Sequence, residues 1–332
     1  MTASMTAGRI RIVCFASGLA LVLAAPILVL AQSPIRLGIL VQEMERSQAQ
    51  AIKGLGEELK RLGYQEKKNL FFETRNAKGN RAALQPAAGE ILSRHANAIF
   101  TTGTSATRAA IASTGEVPIV FVHPDDPVAA GLIKSSGERA KNLTGVAAYA
   151  RTTTEKRVEL IKEIVPGLQK ILIFYDGNNA FSRDSFGVAE TAAKKFGLET
   201  VGYAIKSSDE LKTTVASLHA MPATAIFQIP DELFESESEF LFETARARKF
   251  PTMFNQESWA IGGALAAYGP NYLAMGQQAA RLIDKIIKGE KPASLNIERA
   301  AKFDLTLNYR TARFLDLKFT PEILKQAAKV IR

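Results

Sequence analysis

Along this chain, apolar and polar positions follow two alternating rhythms. Short β-rich runs, beginning with Ile35-Arg36-Leu37-Gly38-Ile39-Leu40-Val41, hand over to stretches whose apolar residues recur at helical spacing. The first such stretch carries Ala51, Ile52, Leu55, Leu59 and Leu62 between Ser47 and Gly63. The first kind reads as a buried strand, the second as an amphipathic helix closed by a glycine. The same reading predicts strands at 69–74, 98–101 and 117–122, with helices over 81–94 and after Ser105. Beyond Asn142-Leu143-Thr144-Gly145-Val146 the rhythm restarts. Helices are expected over 153–164, 185–196, 209–220 and 235–249, and strands at 170–175, 200–205, 223–229 and, last, 252–255. Such alternation predicts a mostly parallel sheet with helices on both faces, here in two α/β halves without internal repetition. No Pro- or Ser-rich linker separates them. The halves should therefore lie close together, doubly wound lobes facing across a cleft and joined by a hinge.

The first residues break this rhythm. Arg9 and Arg11 precede an almost unbroken apolar run over 12–30, and Val29-Leu30-Ala31 provides a small-residue exit. That order reads as a secretory signal peptide over 1–31, with cleavage near Ala31 and delivery to the periplasm. A single transmembrane anchor is the competing reading, but the run is near the lower limit for spanning a bilayer and no basic cluster follows it. The one cysteine, Cys14, falls inside this segment and no lipoprotein-type box precedes it. The mature chain is thus expected to use no disulfide, thiolate nucleophile or cysteine-based metal site. The roughly 300 residues left suit two domains. One lobe is expected from 32–147 and 267–300 and the other from 148–266, with 301–332 near the hinge and its lobe open. The composition is globular, 47% hydrophobic and 23% charged, with a formal net charge of +9. Lysines and arginines are scattered among acids, which together with export argues against a nucleic-acid partner.

Chemistry-bearing motifs are mostly missing. There is no phosphate-binding or dinucleotide-binding glycine turn, no H-E-x-x-H helix and no G-x-S-x-G turn. The three histidines, His95, His123 and His219, fall in separate segments, and His95 and His219 sit near predicted helix ends, where the dipole favours them. Asp125-Asp126 is a carboxylate pair without a partner acid or base. No catalytic residue, metal or cofactor is expected. What remains are polar groups at the carboxyl ends of predicted strands: Thr102-Gly103-Thr104-Ser105, His123 to Pro127, Tyr175 to Asn179, Pro230-Asp231 and Asn255-Gln256-Glu257. Each alone is an ordinary capping or turn sequence; their shared placement on the cleft side points to a site. A helix N-terminus after Gly103, with the Thr104 and Ser105 hydroxyls, suits a carboxylate, although Thr104 capping its own helix is the plainer reading. Asp126, Asp176 and Asp231 would neutralise an ammonium. The set matches a zwitterion such as an amino acid.

Further motifs run through the chain: Asp126-Pro127-Val128 with Gly131-Leu132, Glu257 with Gly262-Gly263, Tyr268-Gly269-Pro270, Lys288-Gly289 before Pro292, and Lys302-Phe303-Asp304-Leu305 through Asn308, Thr311-Ala312 and Pro321. Together with those above, they resemble the ABC-transporter substrate-binding family whose better-known members bind tryptophan and related aromatic amino acids. The resemblance covers about 35–331. It implies the type I periplasmic binding-protein fold and delivery of a small-molecule ligand to a membrane permease powered by a separate ATPase; a monomer is expected. By analogy the ligand-facing positions are Thr104, Ser105, Asp126, Asp176, Asn179 and Asp231, with Glu257 near the hinge and Gln42 on the loop Gln42-Glu43-Met44. That loop departs from the small residues common in relatives, and His123-Pro124 and Trp259 are individual to this chain, which leaves the solute open. An exported sensor ectodomain and an enzyme on the same scaffold are the competing classes. A repressor on this fold would need a DNA-binding element where the signal segment lies.

Overall fold

The apolar run Ile35–Val41 forms β1, followed by α1 (Arg46–Arg61), β2 (Leu70–Asn76), α2 (Leu84–Ser93), β3 (Ala98–Thr102), α3 (Thr104–Ser113), β4 (Ile119–His123) and β5 (Leu143–Ala147). These coordinates are a computed structural model that describes residue 2 and residues 34–332, except 124, 125, 129, 135, 136 and 150, with the backbone alone at 151, 152, 232 and 235. The expected signal segment with Cys14, and Pro124 and Asp125, lie outside the described residues. The chain continues through α4 (Arg151–Ile164), β6 (Lys170–Asp176), α5 (Ala180–Lys195), β7 (Glu199–Ile205), α6 (Ser208–Ser217), β8 (Thr224–Gln228), α7 (Glu232–Ser236), α8 (Ser238–Ala247), β9 (Thr252–Phe254), α9 (Glu257–Gly262) and β10 (Ala266–Pro270). It ends with α10 (Tyr272–Ile287), β11 (Glu298–Arg299), β12 (Phe303–Asn308), α11 (Tyr309–Phe314), α12 (Pro321–Gln326) and β13 (Ala327–Ile331).

The strands form a six-stranded sheet ordered β2-β1-β3-β4-β5-β11 and a seven-stranded sheet ordered β7-β6-β8-β9-β10-β12-β13. The first is parallel throughout, whereas β12 pairs antiparallel with β10 and parallel with β13. Each sheet is covered on both faces. Leu37, Ile39 and Val41 of β1 pack toward α1 and α10, while Leu40 packs with α2 and α3; Ile171 and Ile173 of β6 pack on one side of the second sheet, and Leu172 and Phe174 on the other. This is the two-lobed α/β architecture that the alternating pattern predicts.

Three expectations change. The strand at 252–255 is not the last, because β10, β12 and β13 follow; β10 ends in Gly269-Pro270, which reads as turn punctuation. The helix expected over 235–249 is broken at Glu237, whose backbone leaves helical geometry, and the Ser236 hydroxyl bonds back to the Leu233 carbonyl at 2.9 Å, a competition that weakens helices. The chain returns to the first lobe after Pro270 rather than at 267, since β10 belongs to the second sheet; 303–331 then builds that sheet's edge.

The return is held by an unusually close helix pair. A Cβ on Gly54 of α1 would lie 2.0 Å from the Leu273 carbonyl oxygen, and one on Gly276 of α10 would lie 1.9 Å from that of Ala51. The two backbones touch, and only glycine leaves room. Around this contact, Glu58 accepts from Arg61 at 2.7 Å and from Arg281 of α10 at 3.1 Å, and the Tyr64 hydroxyl donates to Asp284 at 2.9 Å. The Arg61 hydrogen bond, with help from Arg281, holds the Glu58 carboxyl down at about 2. Burial, then the Asp284 bond, pushes the Tyr64 phenol up to about 12.

Gly276→Ala should destabilise the protein by about 1–3 kcal/mol in denaturant unfolding despite alanine's better helix propensity, because the clash is with backbone that cannot yield. Glu58 has a depressed folded-state pKa, so its stabilisation is full above the ordinary carboxylate value and is lost as pH falls toward about 2. Glu58→Gln should therefore lower stability at neutral pH and flatten the acid limb of the stability–pH curve across that window.

Candidate functional site

In open parallel sheets, the crevice for a ligand lies beyond the carboxyl ends of the strands, where the strand order reverses. In the first sheet that point falls between β1 and β3, and in the second between β6 and β8. Gln42 follows β1, Thr104 and Ser105 follow β3, Asp176 ends β6 and Asp231 follows β8. All five line one cleft of about 640 Å³, together with Asn179, Arg81, Arg108, His123, Phe181, Leu233 and Ser236. Both switch points therefore feed the same space, one from each lobe.

On the first lobe, Gly103 occupies the cap position of α3 with φ 79°, a left-handed backbone that favours glycine. Thr104 is consequently the first helical residue and does not cap its helix. Its hydroxyl oxygen lies 2.7 Å from Nε2 of His123, at the end of β4. One turn further in, the Thr107 hydroxyl donates to the Gly103 carbonyl at 2.6 Å and lies 2.8 Å from that of Thr101. Of the hydroxyls in this segment, Thr104 stands in the cleft and Thr107 serves the turn. Arg108, four residues after Thr104 and on the same helical face, donates to the Ala130 carbonyl at 2.6 Å.

On the second lobe, Asn179 caps α5 by accepting from the Phe181 N–H at 3.0 Å, and its amide donates to Asp231 at 2.9 Å. The other Asp231 oxygen accepts from the Leu233 N–H at 2.9 Å. Asp176 accepts from the Asn178 N–H at 2.7 Å, and its own N–H donates to the Ser182 hydroxyl at 2.9 Å. Burial pushes the Asp231 carboxyl above its ordinary value, the Leu233 and Asn179 bonds pull it back, and the Asp176 charge raises it again. Among the described residues lining the cleft, the arginines stand on the first lobe and the carboxylates on the second.

Two expected site residues are not brought to this cleft. Asp126 accepts from the Val128 N–H at 2.9 Å, closing a turn in its own loop. Glu257 pairs with Lys329 at 2.5 Å and lines a separate cavity of about 160 Å³ with Arg46, Asn271 and Asp304, where the chain crosses between lobes. Arg81, Arg108, Phe181, Leu233 and Ser236 are cleft residues that the sequence reading missed. For Arg108 the i, i+4 spacing from Thr104 is a usable signal, and Phe181 stands two residues beyond the cap Asn179.

Two facing α/β lobes with polar side chains at both switch points define a bilobal receptor for a small solute. The chain belongs to the ABC transporter substrate binding protein family, whose model it matches over residues 37–331. It is 26% identical over 269 residues to a tyrosine-binding protein of Clostridioides difficile (strain R20291), covering 81% of this chain and 77% of that one. Among solved structures it is similar to a conserved domain protein from Vibrio cholerae (27% identity, TM-score 0.78, 90% of this chain and 100% of that one). An ABC domain in complex with L-Trp from Streptococcus pneumonia shares the fold (21% identity, TM-score 0.78, the same coverage). No helix among the described residues is long and apolar enough to cross a membrane.

Asn179→Ala should remove a helix cap worth about 1 kcal/mol and push the Asp231 carboxyl further up in an NMR titration. Because that folded-state pKa is raised, the stability tied to Asp231 is full below the ordinary carboxylate value and is lost as pH rises through the folded one. The cost of the substitution should thus be larger at neutral pH than in acid.

Proposed function

We propose that this chain is the extracytoplasmic receptor of an ABC importer and captures an amino acid or similar zwitterion between its lobes. The carboxylate would lie at the N-terminus of α3, against Thr104, Ser105 and Arg108, and the ammonium between Asp176 and Asp231. The observation that carries this reading is the separation of charge across the cleft lining, arginines on the first lobe and carboxylates on the second. A helix N-terminus favours an anion, and two ordered carboxylates favour a cation. Phe181 and Leu233 supply an apolar wall for a side chain. The similarity to a tyrosine-binding protein and to a domain holding L-Trp makes aromatic amino acids the first solutes to test.

Such a ligand touches both lobes only when they close on it. Its affinity for the closed form exceeds that for the open one, and that difference drives hinge motion. A membrane permease, powered by its ATPase, would then recognise the closed receptor. Family membership and the basic–apolar–small order of the leader support a periplasmic location.

A thermal-shift screen of the chain from Gln32 against amino acids, sugars and purines tests the proposal. A solute at a thousand times its Kd adds about 4 kcal/mol, a rise on the order of 10 °C for lobes of this size. The expected hits are amino acids. Asp231→Asn and Thr104→Val should each weaken binding about tenfold with the unliganded melting temperature little changed, and affinity should begin to fall on acidification above the ordinary carboxylate range. A response confined to sugars or purines, or undiminished binding in both variants, overturns the zwitterion reading.

A further inference from the structure

The Thr104 hydroxyl has one proton, and the residue beside it decides where that proton points. Oγ1 lies 2.7 Å from Nε2 of His123, and His123 is 4% exposed, with its ring at the cleft wall. Two arrangements satisfy that distance. If Nε2 is unprotonated, it accepts from Thr104, and the hydroxyl offers the cleft only lone pairs. If Nε2 carries a proton, it donates to Oγ1, and the hydroxyl hydrogen is free to donate into the cleft. A threonine without this neighbour rotates to suit either partner.

The surroundings favour the second arrangement. Thr104 stands at the first position of α3, where the helix presents N–H groups and the positive end of its dipole. Arg108 follows one turn later on the same face and also lines the cleft. Glu43 and Glu45 border an adjoining pocket with Thr104 and Ser105, but within the cleft itself the helix start and Arg108 favour an anion, and an anion needs a donated proton from Thr104. We propose that His123 is a positioning residue that sets this polarity: Nε2–H donates to Thr104 Oγ1, and Thr104 Oγ1–H donates to a carboxylate on the ligand. The second bond is strengthened by the first, since a hydroxyl that accepts one hydrogen bond donates a stronger one. The inference rests on the zwitterion reading for the nature of the ligand, but the direction of the His123–Thr104 bond is a property of the unliganded protein. Its consequence is specificity. The first lobe would reject a solute that presents an ammonium there, and would discriminate an amino acid from its α-amide.

The test joins a spectroscopic readout to a mutant cycle. In the unliganded protein, 15N NMR of the His123 ring should show Nε2 protonated and hydrogen-bonded. Thr104→Val and His123→Leu should each lower affinity for the bound amino acid about tenfold, the size of one hydrogen bond to a charged group. The double variant should be no worse than either single one, and each should narrow the preference for the free acid over its α-amide. His123→Gln, whose amide can donate from a similar position, should keep most of the affinity, which separates positioning from loss of fold. An unprotonated Nε2 in the free protein overturns the inference whatever ligand is found. So do additive effects in the double variant, or a free-acid preference unchanged by His123→Leu. Failure of every amino acid to bind the unaltered protein would instead overturn the zwitterion reading, and the ring spectrum would still decide the direction of the bond.

Discussion

The direct backbone contact of α1 and α10 through Gly54 and Gly276 is the constraint on which the two-lobed arrangement depends. The chain leaves the first lobe after β5, returns after β10 and leaves again after β11, so α10 must be anchored on a lobe whose sheet ended, at Ala147, about 125 residues earlier. Ridge-and-groove packing through side chains alone would leave the helices farther apart. The glycines bring α10 onto α1, and β11 is then delivered beside β5 to complete the first sheet. The last two crossings are stitched to each other: the Asn271 side chain donates to Asp304 at 2.5 Å, and its N–H donates to the Lys302 carbonyl at 2.9 Å. These neighbouring strands are where any rotation between lobes would have to be absorbed.

From this frame the cleft follows. Each sheet reverses its strand order once, and each reversal opens a crevice at the carboxyl ends of its strands. The first is furnished from β1, β3 and β4, the second from β6 and β8. The furnishing is asymmetric. One side offers a helix start, hydroxyls and guanidinium groups, the other two carboxylates ordered by Asn179, Ser182 and backbone N–H groups. Asp231 illustrates the cost of such order: its charge is opposed by burial and by Asp176, and the group is kept in place by bonds that turns and caps provide.

Much of this was legible in the residues. The period of apolar positions locates β1 to β4 and β6 to β9 because those strands are parallel and separated by helices, the case in which periodicity speaks most clearly, while β5 went unread as a strand. Thr104, Ser105, Asp176, Asn179 and Asp231 were found by their place after strands, a rule of topology rather than of residue type. The misses have physical causes. β10 carries Gly269, whose absent side chain makes room for the Asn255 carbonyl, and a glycine followed by proline looks like a turn. Asp126 makes the same turn bond to the N–H two residues on as Asp176 and Asp231, but its loop does not carry it to the cleft lining. Arg81 and Arg108 looked like ordinary surface charges. For Arg81 only the folded arrangement shows that it faces the cleft from beyond β2, whereas Arg108 could have been read from its place one helical turn after Thr104.

Opposite charges on opposing walls make the cleft a small capacitor. Its field crosses the gap and is strongest between low-dielectric surfaces. A dipolar solute diffusing into that gap is turned before it touches either wall, and an end-for-end misorientation is repelled at both ends at once. Orientation is then selected during entry, in addition to any selection by fit once the solute has arrived.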